Sequence, residues 1–196
     1  MHPVYLFIGQ SGAGKGTQVA LLKERLLKHN PDTSFFAIET GEKFRSFIEG
    51  SSYTAGLTRE AMAHGILPPP FLAVQMWAEE LMRHYDGTST VILDGTPRVA
   101  AEVPLLLSAA AFYGWSLQVI HLAVSDEWSL ERIAGRGRAD DAVAHAVAGR
   151  IAWYHESVEP ALELLKESTL VQFHDIHGEK SIPEVHEEIC TAVGIA

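Results

Sequence analysis

The run Gly9-Gln10-Ser11-Gly12-Ala13-Gly14-Lys15-Gly16-Thr17 sets glycines where a backbone must wind tightly and puts a lysine at the end of the winding. Without a Cβ to hold an anion off, successive backbone N–H groups turn inward on phosphate oxygens. An apolar stretch, 4–8, precedes the run and an amphipathic stretch, 18–27, follows it, so a helix N-terminus adds its dipole at the same place. Lys15 then reaches the outer phosphates of a nucleotide, with Gly12, Ala13, Gly14, Gly16 and Thr17 completing the cradle. A turn that merely joined strand to helix would have no use for lysine there. The general form of this motif places Ser or Thr directly after the lysine to hold Mg²⁺, whereas here Gly16 intervenes before Thr17.

Two further runs carry chemistry. Val91-Ile92-Leu93-Asp94-Gly95-Thr96-Pro97-Arg98 ends an apolar stretch on a carboxylate suited to holding a Mg²⁺-bound water, then projects an arginine from a Gly-Thr-Pro turn. Glu131-Arg132-Ile133-Ala134-Gly135-Arg136-Gly137-Arg138-Ala139-Asp140-Asp141 packs arginines into a chain that is otherwise acidic. Arginines converging on a transferring phosphoryl group would offset the charge on its oxygens, and Asp140 and Asp141 could orient them. The histidines, including His174 and His177, show no metal-ligand spacing, and there is no triad pattern.

These runs need elements to hold them. Short apolar runs recur at 4–8, 34–38, 90–93, 117–123 and 170–173, with helix-like segments between them. Fully apolar strands such as Val91-Ile92-Leu93 suit a parallel sheet covered on both faces, which predicts an open α/β fold. Ser181-Ile182-Pro183-Glu184 opens a terminal helix with a capping box, Ser125 precedes another, and Pro160 should kink or end the helix before it. Residues 40–71 read as two short helices around Gly50-Ser51-Ser52, an inserted flap closed by Pro68-Pro69-Pro70. Trp77, Trp115, Trp128 and Trp153 read as core or hinge packing.

With 196 residues, 47% of them apolar, one domain can bury its own core. The formal net charge of −10 argues against a general nucleic-acid or acidic-membrane binder. The apolar stretch 105–124 is broken by Ser108, Gly114, Ser116, Gln118 and His121, and reads as helix, turn and strand rather than a membrane span. A single cysteine, Cys190, permits neither an internal disulfide nor a cysteine zinc site, and a cytoplasmic setting is expected.

The ending Gly14-Lys15-Gly16-Thr17 resembles the adenylate kinase family of nucleoside monophosphate kinases, whose loop reads G-x-P-G-x-G-K-G-T; Ser11 stands at the proline. Asp94-Gly95-Thr96-Pro97-Arg98 is similar to that family's D-G-F-P-R, with Thr96 for phenylalanine, and Thr40-Gly41-Glu42-Lys43-Phe44-Arg45 is similar to its T-G-D-x-x-R. The resemblance covers nearly the whole chain. It implies a P-loop NTPase-type three-layer α/β/α domain over 1–196, with a five-stranded parallel sheet, an NMP-binding insertion at about 40–71 and a short lid at about 132–141. It further implies Mg²⁺ with ATP as donor, a nucleoside monophosphate as acceptor and a monomer. Arg45 and Arg98 would grip the acceptor phosphate, helped by Thr40 and Gly95, while Gly65-Ile66-Leu67 would face the acceptor base through backbone. Arg132 and Lys180 would attend the donor, and Lys15, Arg98, Arg136, Arg138 and Arg150 the transferred group, although Arg150 lies one residue further from the Asp pair than the family pattern.

Four residues after Arg98 the family places a glutamine, which both donates and accepts; this chain has Glu102, and a carboxylate only accepts. AMP is the expected acceptor, with CMP/UMP or GMP as alternatives. A P-loop kinase for another small molecule and a nucleotide-binding regulator without turnover are the other readings. The arginine set favours catalysis, and a GTPase would want an N-K-x-D motif that the chain lacks.

Overall fold

The computed structural model describes residues 2–136 and 144–195, with only the backbone described at 2, 136 and 144–146. Strand β1 (His2–Gly9) leads through the glycine-rich loop into α1 (Lys15–His29), and β2 (Phe35–Glu39) follows. Helices α2 (Thr40–Phe47) and α3 (Tyr53–Ala63) are inserted before α4 (Pro70–His84) and β3 (Thr90–Asp94). Next come α5 (Val103–Tyr113), β4 (Trp115–Ala123), α6 (Asp126–Arg136), α7 (Ala144–Trp153), α8 (Glu159–Lys166), β5 (Val171–His177) and α9 (Ile182–Ala192).

The five strands are all parallel, in the order β2-β3-β1-β4-β5. Period-two alternation sorts their side chains. Val4, Leu6, Val91, Leu93, Leu117 and Val119 pack in one buried cluster with Trp77, Leu81, Leu106 and Leu165 from α4, α5 and α8. Tyr5, Phe7, Ile92, Ile120 and Leu122 face the other way, against Leu22 of α1 and Val185 and Ile189 of α9. The sheet is therefore the middle of three layers, as the apolar runs predict.

The helix punctuation is seen in place. Ser181 and Glu184 form the capping box of α9, and Ser125 Oγ accepts from Trp128 N–H at the start of α6. Gly114, at φ 68°, ends α5 so that β4 can begin one residue later. Pro160 sits in the first turn of α8, behind a π-turn at Tyr154–Val158 that joins α8 to α7. One boundary differs: the proline run at 68–70 does not only stop the insertion, because Pro70 opens α4, where its missing N–H costs nothing. Trp115 and Trp77 are buried in the core. Among the described residues no helix is long and apolar enough to cross a membrane.

Candidate active site

In a parallel sheet the crevice beyond the carboxyl ends of the strands, where crossovers part to either side, is where ligands fit. Here β1 lies between β3 and β4, so the glycine-rich loop, Asp94 and the start of α6 all emerge at that edge. The loop turns through Gly9, Gly12 and Gly14, of which Gly12 and Gly14 hold φ of 89° and 91°, a region that side chains avoid. Gly14 caps α1, and Gly14, Gly16 and Thr17 are exposed at the helix N-terminus. Lys15 Nζ donates to the carbonyls of Gly9 and Gln10, both at 2.9 Å, so the ammonium is drawn onto the loop. Gln10 O also accepts from Ala13 N–H at 3.2 Å.

On the β2–β3 side, the in-register pair Glu39 and Asp94 brings two carboxylates to adjacent strand ends. Arg45, one turn into α2, donates through Nη2 to Glu39 Oε1 at 2.8 Å. Arg98 donates through Nε to Gly95 O at 2.9 Å and stands 5.8 Å from the centre of the Phe44 ring. The two guanidiniums meet at Gly41: a Cβ placed there would lie 3.2 Å from Arg45 Nη1 and 3.4 Å from Arg98 Nη2. Burial weakens the hold of Arg98 on its proton, while Glu102 and Asp94 strengthen it; an arginine stays charged through either effect. Thr40 and Thr96, both buried, hydrogen-bond through their hydroxyls, which ties the start of the insertion to the Gly-Thr-Pro turn. That pairing is the structural use of a threonine where the family signature has phenylalanine.

Glu102 is 1% exposed. Its Oε1 accepts from the Arg98 backbone N–H at 3.1 Å, and its Oε2 is buried without a hydrogen-bond partner among the described residues. The Trp77 indole is close enough to act on the carboxyl, yet its Nε1 is likewise buried and unpartnered, so the two stop short of a hydrogen bond. Burial pushes the Glu102 carboxyl above the usual carboxylate range, with the Arg98 N–H and charge pulling the other way. This alters the expectation drawn from the sequence. A carboxyl that carries its proton owns an O–H and can donate as well as accept.

Gly65 ends α3 at φ 71°, its N–H on Met62 O, with Ile66 N–H reaching back to Ala61 O. Gly65 is buried, Ile66 exposed and Leu67 half-buried. Helix α7 rests on this turn, since a Cβ on Gly149 would lie 3.0 Å from Gly65 O. Arg150 follows Gly149 directly and is half-buried. Arg132, on α6, stacks its guanidinium 4.4 Å from the centre of the Trp128 ring. Lys180 donates to Glu188 Oε2 of α9 at 2.6 Å, beside Gly178, whose N–H bonds to Ala123 O at the end of β4. Arg136 closes α6, while Arg138, Asp140 and Asp141 lie outside the described residues.

A family model described as "AAA domain" (AAA_17) matches residues 8–146. The adenylate kinase of Parvibaculum lavamentivorans is 32% identical over 97% of this chain and 92% of its own length. That of Corynebacterium aurimucosum is 31% identical over 97% and 98%, and that of Prochlorococcus marinus strain MIT 9515 is 31% identical over 89% and 90%. The chain belongs to the adenylate kinase family. It is a nucleoside monophosphate kinase.

Four contributions to this adenylate kinase-family site escape motif reading. Glu39 was visible only as the residue before Thr40, yet it orients Arg45. Gly41 reads as part of a run until the guanidiniums are seen to converge on it. Asp126 accepts from Gln10 Nε2 at 2.7 Å, and the Ser129 hydroxyl donates to Ser11 O. Nothing in local sequence marks these last two as loop partners.

Proposed function

We propose that the chain transfers the γ-phosphoryl group of Mg·ATP reversibly to AMP, so that ATP and AMP interconvert with two ADP. The observation that carries this reading is the convergence of Arg45 and Arg98 on Gly41, which brings two charged forks to one glycine at the strand ends that also carry the phosphate loop. The relatives named adenylate kinase support adenine as the base.

In this reading the loop residues Gly12 to Thr17 and the α1 N-terminus hold the donor phosphates, with Arg132 and Lys180 at the donor. Thr40, Arg45, Gly65, Ile66, Leu67, Gly95, Arg98 and Glu102 hold the acceptor. Its phosphate is already ionised near neutral pH, so no general base is needed, and alignment, charge and exclusion of water supply the rate. Residues 40–71 act as a flap and about 132–141 as a short lid that brings Arg136, Arg138 and Arg150 onto the transferred group, oriented by Asp140 and Asp141. The protein works as a monomer in the cytoplasm.

Among the described residues no group of three or more His, Cys, Asp or Glu is placed to enclose a metal ion. Mg²⁺ asks for less, because with a nucleotide it is held by one or two carboxylates, waters and the phosphates themselves. Asp94, half-buried at the end of β3 beside Glu39, fits that role through water. The ion would supply charge neutralisation across the phosphate oxygens.

Glu102 bears on the choice of base, because ionised it suits the paired N–H donors of guanine, the alternative reading, whereas neutral, the form its burial favours, it suits adenine or cytosine. A coupled assay of ADP formation from ATP with AMP, CMP, UMP, GMP and deoxy analogues tests both. AMP ranking first supports the proposal; no turnover with any monophosphate would remove it.

A further inference from the structure

Three successive residues of the phosphate loop rest on one face of α6. Gln10 donates to Asp126 Oδ1 at 2.7 Å, the Ser11 carbonyl accepts from the Ser129 hydroxyl, and Gly12 lies flush on the helix. A Cβ on Gly12 would stand 2.9 Å from Ser129 O and 3.3 Å from Arg132 Cβ. Asp126, Ser129 and Arg132 are spaced three apart, so one stripe of the helix matches three consecutive loop residues. Ser129 has no exposed surface at all. A hydroxyl buried that completely is costly unless it bonds, and its bond goes to the loop.

The bond has a directional consequence. A trans peptide is planar, so the carbonyl of Ser11 and the N–H of Gly12 point opposite ways. Fixing the Ser11 carbonyl on α6 turns the Gly12 N–H away from that helix. The preceding carbonyl, of Gln10, is held from the loop's own side by Ala13 N–H and Lys15 Nζ. Ser11 lacks the ring that would preset its φ, so its conformation has to be set from outside the loop.

We propose that Ser129 is a positioning residue for the donor nucleotide: its hydroxyl locks the Ser11–Gly12 peptide so that the Gly12 N–H is presented to a phosphate. This rests on the reading of ATP as the donor. Because α6 also carries Arg132, whose Cβ would stand 3.3 Å from one on Gly12, the same helix shapes the loop and holds an arginine beside it.

The variants Ser129→Thr and Ser129→Val test it, since the two side chains have nearly the same volume and differ by the hydroxyl. ATP binding is read by titration calorimetry and KM by steady-state kinetics. The valine variant should bind ATP about fivefold more weakly than the threonine variant, the size of one hydrogen bond, with KM for AMP the same within about twofold. Ser129→Ala adds no atom and keeps the test open should neither larger side chain fit; against wild type it should show the same selective loss for ATP. Equal ATP binding by the threonine and valine variants, or equal losses for ATP and AMP, would overturn the proposal. A wild-type protein that binds ATP but phosphorylates no monophosphate would instead remove the kinase reading, while leaving the hydroxyl comparison on ATP binding intact.

Discussion

Arg45 and Arg98 turn their guanidiniums to the same point, 3.2 and 3.4 Å from where a Cβ on Gly41 would stand. Two like charges are brought together there with Glu39 and Asp94 close by, an arrangement suited to gripping one anion with two forks.

Gly41→Ala should therefore weaken the acceptor selectively. The methyl must displace the Arg45 guanidinium by a few tenths of an ångström and fills the space against that of Arg98, and Arg45 Nη1 is a side-chain end that can give, so folding should survive. Alanine also suits the first turn of α2 better than glycine. The expected result is KM for AMP raised by about tenfold, roughly 1.4 kcal/mol, with KM for ATP and thermal midpoint nearly unchanged.

Lys15→Ala removes the charge at the loop together with its two bonds to Gly9 O and Gln10 O. Turnover should fall on the order of 10³-fold, as when a preorganised electrostatic group is deleted. The lost hydrogen bonds, about 1 kcal/mol each, should lower the thermal midpoint by only a few degrees. Single-turnover kinetics beside a melting curve separate the two effects.

Glu102→Gln keeps the shape and fixes the group as neutral. Burial raises the Glu102 pKa, so wild type gains from the proton at low pH and loses that advantage as pH rises through the raised value. The variant should melt increasingly above wild type as pH is raised from the ordinary carboxylate value of about 4.5 through the raised one, and by a constant margin beyond it. Its preference should shift towards AMP, more at the alkaline end. An unchanged base ranking would take Glu102 out of the acceptor site.

His155 clasps two elements, bonding through Nε2 to Asp126 Oδ1 at 2.9 Å and through Nδ1 to Glu159 Oε1 at 2.7 Å. Its pKa is raised, first by Glu159 and then by Asp126, and that of Asp126 is lowered, first by Gln10 and then by His155. The clasp is complete below the ordinary imidazole value near 6.5 and is lost as pH rises through the raised one; on the acid side it is lost as Asp126 protonates. His155 is 43% exposed on its side chain, so solvent keeps the contribution to about 1 kcal/mol or less. His155→Gln should lower the melting temperature by about 2 °C at pH 5.5 and by almost nothing at pH 9.

The loop, the strand-helix alternation and the arginine at 98 were legible in sequence because each is a local event. A glycine that must take positive φ, a strand apolar on both faces and a capping box all operate within a few residues. The reading of Trp77 and Trp115 as core has the same origin, since large apolar groups leave water wherever they stand in the chain.

The partners of these groups were not legible. Gln10 meets Asp126, Ser11 meets Ser129 and Thr40 meets Thr96 across separations of 116, 118 and 56 residues. Periodicity and spacing carry no information over such distances. Those contacts exist because β1 is flanked by β3 and β4, which delivers α6 and the Gly-Thr-Pro turn to the same edge as the loop. Sequence alone thus determined the glycine-rich loop, its position between strand and helix and the expectation that Lys15 meets a phosphate there. Packing of the crossovers decided that Gly41 stands where two arginines converge, and that Glu102 is buried, because burial and convergence belong to the assembled layers and to no single segment.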